Sequence, residues 1–289
     1  MKATVIINPL SGRKRAPAAQ AMVEALGRGL GAELAFRTIT GPGHGTALAR
    51  EAVEAGADRV ISIGGDGTLN AVAAGLVGTN TALGVVAMGS GNGYARSLKL
   101  PLDPEKALRV AFTGTPKPMD ICYLNDQPFL GTAGIGFDAR VAWEFDRTDV
   151  RGMWNYMRII LKDILHAKPM RVVVKANHET REEQVLMMVF ANTREFGNGA
   201  VISPGSAPDD GTAELQLVAK PGFIPLLKAF MDLYGGRADR NKHIRTIVAR
   251  EATVFQSGTL AHLDGEPITI GHDVHFRLEP KRLNVITST

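Results

Sequence analysis

The sequence predicts an α/β domain built on a parallel sheet, followed by a second domain that is mainly β. Three observations carry this expectation. Short β-rich runs alternate with helical periodicity up to about residue 120. Hairpin-like strand pairs then replace that rhythm, and 289 residues exceed one compact domain of ordinary size. The expected division is a three-layer α/β domain at 1–120 and a β-sandwich or mixed β-domain at 121–279, with 280–289 returning to the first. A composition of 45% hydrophobic and 21% charged residues supplies both cores and excludes the disordered and fibrous classes.

In the first part, the strand candidates are 3–7, 33–39, 59–63 and 82–88. Between them, Met22, Val23, Leu26 and Leu30 form one apolar helical stripe, and Leu48, Ala52 and Val53 form another. Asp103 and Pro104 supply N-cap and N1 chemistry for a further helix that Gly114 ends. Beyond Asp120, residues 121–124 and 129–132 flank an Asn-Asp-Gln-Pro turn, and 171–175 and 185–191 flank a polar one. Strands are also expected at 213–218, 247–255, 274–278 and 284–287, with helical patterns near 143–166 and 223–234.

The chemistry-bearing loops lie at strand exits. Gly64-Gly65-Asp66-Gly67-Thr68 ends a strand and opens a helix pattern, so backbone N–H groups and a helix N-terminus meet where a phosphate can approach. Asp66 could orient Mg²⁺ or a water, and Thr68 could donate its hydroxyl. A plain βα turn would use the same glycines. Two more loops, Asn8-Pro9-Leu10-Ser11-Gly12 and Gly89-Ser90-Gly91-Asn92-Gly93, should open at the same edge, because every strand of a parallel sheet points its C-terminal end the same way. Arg13, Lys14 and Arg15 follow the first loop and suit either a phosphate or a solvated helix start.

These loops, together with Ala95-Arg96, Gly134-Ile135-Gly136-Phe137-Asp138, Asp209-Asp210-Gly211 and Asp264-Gly265-Glu266, fall in the order seen in the diacylglycerol kinase catalytic-domain family. The chain resembles that family over nearly its whole length. NAD kinases and phosphofructokinases share the Gly-Gly-Asp-Gly element, but the six ordered motifs are specific.

The resemblance implies a fold like that of NAD kinase and diacylglycerol kinase, and an ATP- and Mg²⁺-dependent lipid kinase active in phospholipid metabolism. It implies that Gly64, Gly65, Asp66, Gly67, Thr68 and Asn70 bind ATP with Asn8, Pro9, Ser11, Gly12, Ser90 and Asn92. Thr40, chosen over Thr38, would join them. It further implies a structural Mg²⁺ on Asp210 and the carbonyls of Ala207 and Thr212, where Asp-Gly alone would favour a hairpin turn. Glu266 would accept the proton of the lipid hydroxyl with Asp264 beside it, and Asp66 would stand near Mg²⁺. Without the resemblance, 263–267 reads as a surface hairpin turn. Asn92-Gly93 replaces the family's frequent Asn-Asp, the Gly89-Ser90-Gly91-Asn92 spelling is similar to that of sphingosine kinases, and Ala71 stands where glutamate is frequent. The acceptor is therefore diacylglycerol-like first, with sphingoid or ceramide lipids, a soluble acceptor such as NAD, or a catalytically weak lipid-binding module as alternatives.

A net charge of +4 and a pI near 9.2 lack the clustering of a nucleic-acid binder. Cys122, the single cysteine, excludes an intrachain disulfide framework. No signal-peptide h-region and no apolar run of about 20 residues occurs, so the expected location is cytoplasmic with transient contact at a membrane surface. Residues 143–165, with Trp143, Trp154, Tyr156, Arg147, Arg151, Arg158 and Lys162, suit that contact or a helix pair packed on the sandwich. The seven histidines lack metal-ligand spacing and read as satisfied surface or core residues. A homodimer is compatible with the sequence, which does not fix the oligomeric state.

Overall fold

The computed structural model describes residues 1–11, 16–148, 158–160, 162–164, 166–220 and 222–288. They form two compact units, Met1–Met119 with Lys281–Thr289, and Asp120–Pro280. The first is α/β with a parallel sheet and the second is an antiparallel β-sandwich, the predicted fold class.

In the first unit, β1 (Lys2–Ile7), β2 (Glu33–Thr38), β3 (Arg59–Gly64) and β4 (Ala82–Ala87) lie in the order β2-β1-β3-β4, all parallel. Helices α1 (Ala16–Gly29), α2 (His44–Glu54), α3 (Asp66–Leu76), α4 (Gly93–Ser97) and α5 (Pro104–Thr113) connect or follow them. β1, β3 and β4 are near-continuous buried runs, as expected of strands covered on both faces. Val5, Ile61, Ile63, Val86, Leu108 and Phe112 share one core. The Asp103 side chain accepts from Lys106 N at 3.0 Å with Pro104 at the first helical position, the cap that the sequence announces. Helices α2 and α3 pack so closely that a Cβ on Gly75 would lie 2.6 Å from that of Ala49.

The second unit receives the chain through β5 (Thr115–Leu124). Then come β6 (Gln127–Phe129), β7 (Thr132–Gly136), α6 (Phe137–Asp146), β8 (Met170–Ala176), β9 (Glu179–Val185), β10 (Met187–Ala191), β11 (Glu195–Gly197) and β12 (Ala200–Val201). Next are β13 (Ala213–Val218), α7 (Phe223–Tyr234), a 3₁₀ turn (Ala238–Arg240), β14 (Ile244–Ala249), β15 (Glu251–Gln256), β16 (Leu260–Leu263), β17 (Glu266–Thr269) and β18 (Asp273–Thr287). One sheet runs β14-β13-β10-β7-β16-β17, and facing it are β18, β15, β8 and β9. Both contribute to one core, where the Phe190 and Phe276 rings stack with centroids 5.3 Å apart.

Four differences from the expected strands follow. The polar segment expected as a turn after residue 175 contains strand β9, an edge strand whose exposed face carries Glu182 paired with Arg171 across the ladder. The run 247–255 is two strands on different partners, β14 on β13 and β15 on β8 and β18. The two expected strands at 274–278 and 284–287 are one, β18, whose Val285 pairs in parallel with Leu83 of β4. Residues 129–132, expected as strand, end β6 and begin β7.

Candidate functional site

The carboxyl edge of the parallel sheet gathers the three glycine-bearing loops. Asn8 leaves β1 with its N–H donating to Ile63 O at 3.0 Å. Its side chain spans two loops: Nδ2 donates to Thr68 Oγ1 at 2.9 Å, while Oδ1 accepts from Leu10 N at 3.0 Å. Gly64 O accepts from Met88 N at 2.7 Å, and the Asp66 carboxylate accepts from Asn92 N at 2.8 Å. The first and third loops are thus each tied to the second. Pro9 and Ser11 are half-buried beside Asn8, Ser90 is exposed, and Gly12 with 13–15 lies outside the described residues.

Glycine serves close approach here. A Cβ on Gly64 would lie 2.5 Å from Thr68 Cβ, and one on Gly89 would lie 2.9 Å from both Gly65 Cα and Asn92 Oδ1. The left-handed conformation falls instead on Asn92, with φ 53° and ψ 41°. Its Oδ1 is buried and has no hydrogen-bond partner among the described residues. Asn70 is half-buried on the first turns of α3.

This edge suits an anion. α3 opens at Gly65 with no side-chain cap, so its first N–H groups have no intrahelical acceptor. Asp66 puts a carboxylate in that same first turn, which a bound phosphate would repel unless a divalent cation stood between them. Hard oxygen ligands at a phosphate site fit Mg²⁺. Thr40 lies just past β2 at the same edge, with its Oγ1 2.8 Å from His44 Nδ1.

The second unit holds the acidic turns. Hairpin β16–β17 pairs Leu263 with Glu266 across Asp264 (φ 49°) and Gly265 (φ 88°), the two left-handed residues that a type I′ turn demands. Asp264 is anchored: its oxygens accept from Leu130 N at 2.9 Å, Gly131 N at 2.7 Å and Thr132 N at 3.1 Å, and its own N–H donates to Thr132 O at 2.8 Å. Glu266, the first residue of β17, is exposed.

The 207–212 turn is fixed by Asp120, fully buried on β5. Its N–H donates to Pro208 O and its carboxylate accepts from Gly211 N, both at 2.7 Å. Arg250 Nε donates to Gly211 O at 2.6 Å. Asp210 is exposed, with Oδ1 accepting from Thr212 N and Oγ1, each at 2.9 Å. Asp210 with the carbonyls of Ala207 and Thr212 would offer oxygen donors alone, the ligand chemistry that a hard cation completed by water takes. No group of three or more His, Cys, Asp or Glu side chains suited to a metal occurs among the described residues. Sequence reading gave Asp120 no role, because a carboxylate inside an apolar strand signals only that something must satisfy it.

Trp143 lies on α6, half-buried, with its indole N–H donating to Ile268 O of β17 at 3.3 Å. Phe137 and Val141 of the same helix pack with Ile159, Ala167 and Leu186. Trp143 is thus tied to β17, while Arg151, Trp154, Tyr156 and Leu165 lie outside the described residues. Among the described residues no helix is long and apolar enough to cross a membrane.

Residues 2–124 match the diacylglycerol kinase catalytic domain, and residues 131–287 match the YegS C-terminal NAD kinase beta sandwich-like domain. A relative from Chromohalobacter salexigens named "Probable lipid kinase YegS-like" is 34% identical over 72% of this chain and 70% of its own length. The chain belongs to the diacylglycerol kinase catalytic-domain family. A Bacillus subtilis relative named "Diacylglycerol kinase" is 27% identical over 92% of this chain and 89% of its own. A crystal structure of a diacylglycerol kinase from Bacillus anthracis str. Sterne superposes with a TM-score of 0.76 over 99% of this chain and 96% of that one; at 19% identity it bears on the fold alone. Membership places the chain among lipid kinase and diacylglycerol kinase-like proteins.

Proposed function

We propose that this protein transfers the γ-phosphoryl group of ATP to a hydroxyl of a membrane lipid, diacylglycerol-like in the first instance. The observation that carries the reading is the interlocking of the three loops through Asn8–Thr68 and Asp66–Asn92, which builds a rigid donor-rich edge with one carboxylate in it. Backbone N–H groups at Gly65–Thr68 and the Asn8 and Asn92 side chains hold the phosphates, with Ser11, Ser90 and Thr40 at the margin. Asp66 would hold Mg²⁺, which when bound neutralises charge on the phosphate oxygens. Glu266 takes the proton of the acceptor hydroxyl as its oxygen bonds to phosphorus and the bond to the β-phosphate oxygen breaks, releasing ADP. Asp264, its oxygens engaged with the 130–132 backbone, positions that turn rather than sharing the proton. Asp210 with the Ala207 and Thr212 carbonyls would hold a structural Mg²⁺.

Gly93 is buried at the start of α4 and offers no carboxylate to a polar head group, which favours sphingoid or ceramide-like lipids as the second acceptor class. The work would take place at a membrane surface met from the cytoplasmic side. The test incubates the protein with labelled ATP and a panel of diacylglycerol, sphingosine, ceramide and NAD. Labelled lipid that disappears in Glu266→Gln, with nucleotide binding by calorimetry retained there and lost in Asp66→Ala, is the expected result. Label in NAD alone, or in nothing, rejects the proposal.

A further inference from the structure

The turn that carries Glu266 has a second support that neither the motifs nor the anchoring of Asp264 explain. His262, on β16 two residues before Asp264, is 4% exposed and lies over the turn: Gly265 N donates to its Nδ1 at 3.3 Å. In a four-residue turn the backbone bond runs from the fourth residue back to the first, so the third residue's N–H needs another acceptor. The imidazole supplies it.

An Nδ1 that accepts leaves the neutral ring's proton on Nε2. Nε2 lies 3.2 Å from Asp138 Oδ2, so His262 donates there. Asp138 is 7% exposed in the first turn of α6, where the helix N-terminus favours its charge, and its Oδ1 accepts from Ala139 N at 2.8 Å. Both ring nitrogens are therefore committed, one to a carboxylate and one to the turn.

The surroundings are shaped around this pair. His262 faces Gly134 across the β16–β7 ladder, and a Cβ at 134 would overlap Asp138 Oδ2 and approach His262 Nε2 to 2.7 Å. Phe196 closes the other side, its ring tilted 60° to the imidazole with centroids 6.3 Å apart. Stability alone does not call for such a pair, since apolar residues of similar volume commonly serve a core as well.

We propose that Asp138 and His262 are positioning residues for Glu266: Asp138 fixes the tautomer and plane of His262, and His262 fixes the Gly265 peptide from which the Glu266 side chain springs. The inference rests on the reading of Glu266 as the proton acceptor. Neither residue touches substrate.

Isosteres separate the two ends of the ring. In His262→Asn the amide oxygen can replace Nδ1 and hold Gly265, whereas in His262→Gln the amide nitrogen replaces Nε2 and reaches only Asp138. Misplacing a reacting group by about 1 Å costs on the order of 10²-fold, so kcat should fall by about that much in His262→Ala and His262→Gln, while KM for ATP stays within about twofold. His262→Asn should restore most of kcat. Amide hydrogen exchange at Gly265, read without turnover, should quicken in the Ala and Gln variants and stay slow in the Asn variant, and thermal unfolding of each shows that it is folded. Equal kcat in the Asn and Gln variants, or unchanged Gly265 exchange in His262→Ala, overturns the proposal. Turnover that survives in Glu266→Gln overturns the underlying reading instead, with the exchange result still deciding whether His262 holds the turn.

Discussion

Substituting Gly64 by alanine tests whether the phosphate loop is built by contact rather than by backbone freedom. Gly64 ends β3 with an ordinary φ, so alanine brings no conformational penalty of its own. The added methyl would meet Thr68 Cβ and Cγ2 at 2.5 Å and Oγ1 at 2.6 Å. Thr68 is 7% exposed and its hydroxyl accepts from Asn8 Nδ2, so any retreat breaks the tie between the first and second loops. Overpacking costs about 1–3 kcal/mol and the lost hydrogen bond about 1 kcal/mol, giving roughly 2–4 kcal/mol in all. For a unit of this size that lowers the unfolding midpoint by about 8–16 °C. Scanning calorimetry reads the midpoint, and titration calorimetry reads ATP affinity, which should fall by at least about tenfold as the N–H array loses register. Because the clash includes Thr68 Cβ itself, Thr68→Ala added to Gly64→Ala should bring no relief, whereas Thr68→Gly should recover part of the stability without the affinity. A Gly64→Ala protein with the native midpoint and native ATP affinity would refute the reasoning.

Two other outcomes are expected. Cys122 is fully buried, and burial first, then the charges of Asp120 and Asp264, push its thiol well above the ordinary range. The unfolded thiol ionises near pH 8.5 while the folded one keeps its proton, so the native state binds more protons and stability falls as pH rises above about 8.5. Urea unfolding at pH 8, 9 and 10 should show a steeper loss in the wild type than in Cys122→Ala, and equal slopes would sink the argument. Asp120→Ala leaves the buried Gly211 N–H without its carboxylate and frees the 207–212 turn, at a cost of about 2–4 kcal/mol by urea unfolding; a loss under about 0.5 kcal/mol would show that the turn holds without it.

The fold class was legible because it rests on local signals. The apolar runs of β1, β3 and β4, the Asp103–Pro104 cap and the Asp264–Gly265 turn each declare themselves within a few residues. The misreadings fall where tertiary context overrides such signals. β9, Glu-Thr-Arg-Glu-Glu-Gln-Val, is an edge strand whose polar residues face solvent, so its composition reads as a turn although the ladder to β8 fixes it. The 247–255 run reads as one strand because its charged pair Arg250-Glu251 would also suit the solvent side of a continuous strand, yet the chain changes sheets there and the Arg250 guanidinium reaches Gly211 O. Pro280 and Lys281, the latter at φ 56°, interrupt the pattern of β18 without ending it.

The site divides the same way. Convergence of the three loops follows from strand direction alone, so sequence could announce it. That Asp264 accepts from residues 130–132, or that His262 meets Asp138, follows from pairing between β7 and β16, elements far apart in the chain, and no local pattern encodes that.

The glycines connect both halves of that argument. Gly64, Gly89, Gly91 and Gly134 all have conformations open to any residue, while Asn92 and Asp264 take the left-handed ones. What each glycine lacks is matched to a polar side chain: Thr68 at Gly64, Asn92 at Gly89, Asp66 at Gly91, and Asp138 with His262 at Gly134. The absent Cβ lets a side-chain oxygen rest against backbone at a distance no larger residue permits. Gly-rich strand ends in this chain therefore set the positions of Asp66, Asn92 and Asp138. Alanine at Gly64, Gly89 or Gly134 should be costly because it displaces that partner, whether or not a phosphate is ever bound, whereas at Gly91 a shift of Asp66 Oδ2 from 3.2 Å by a few tenths of an ångström makes room.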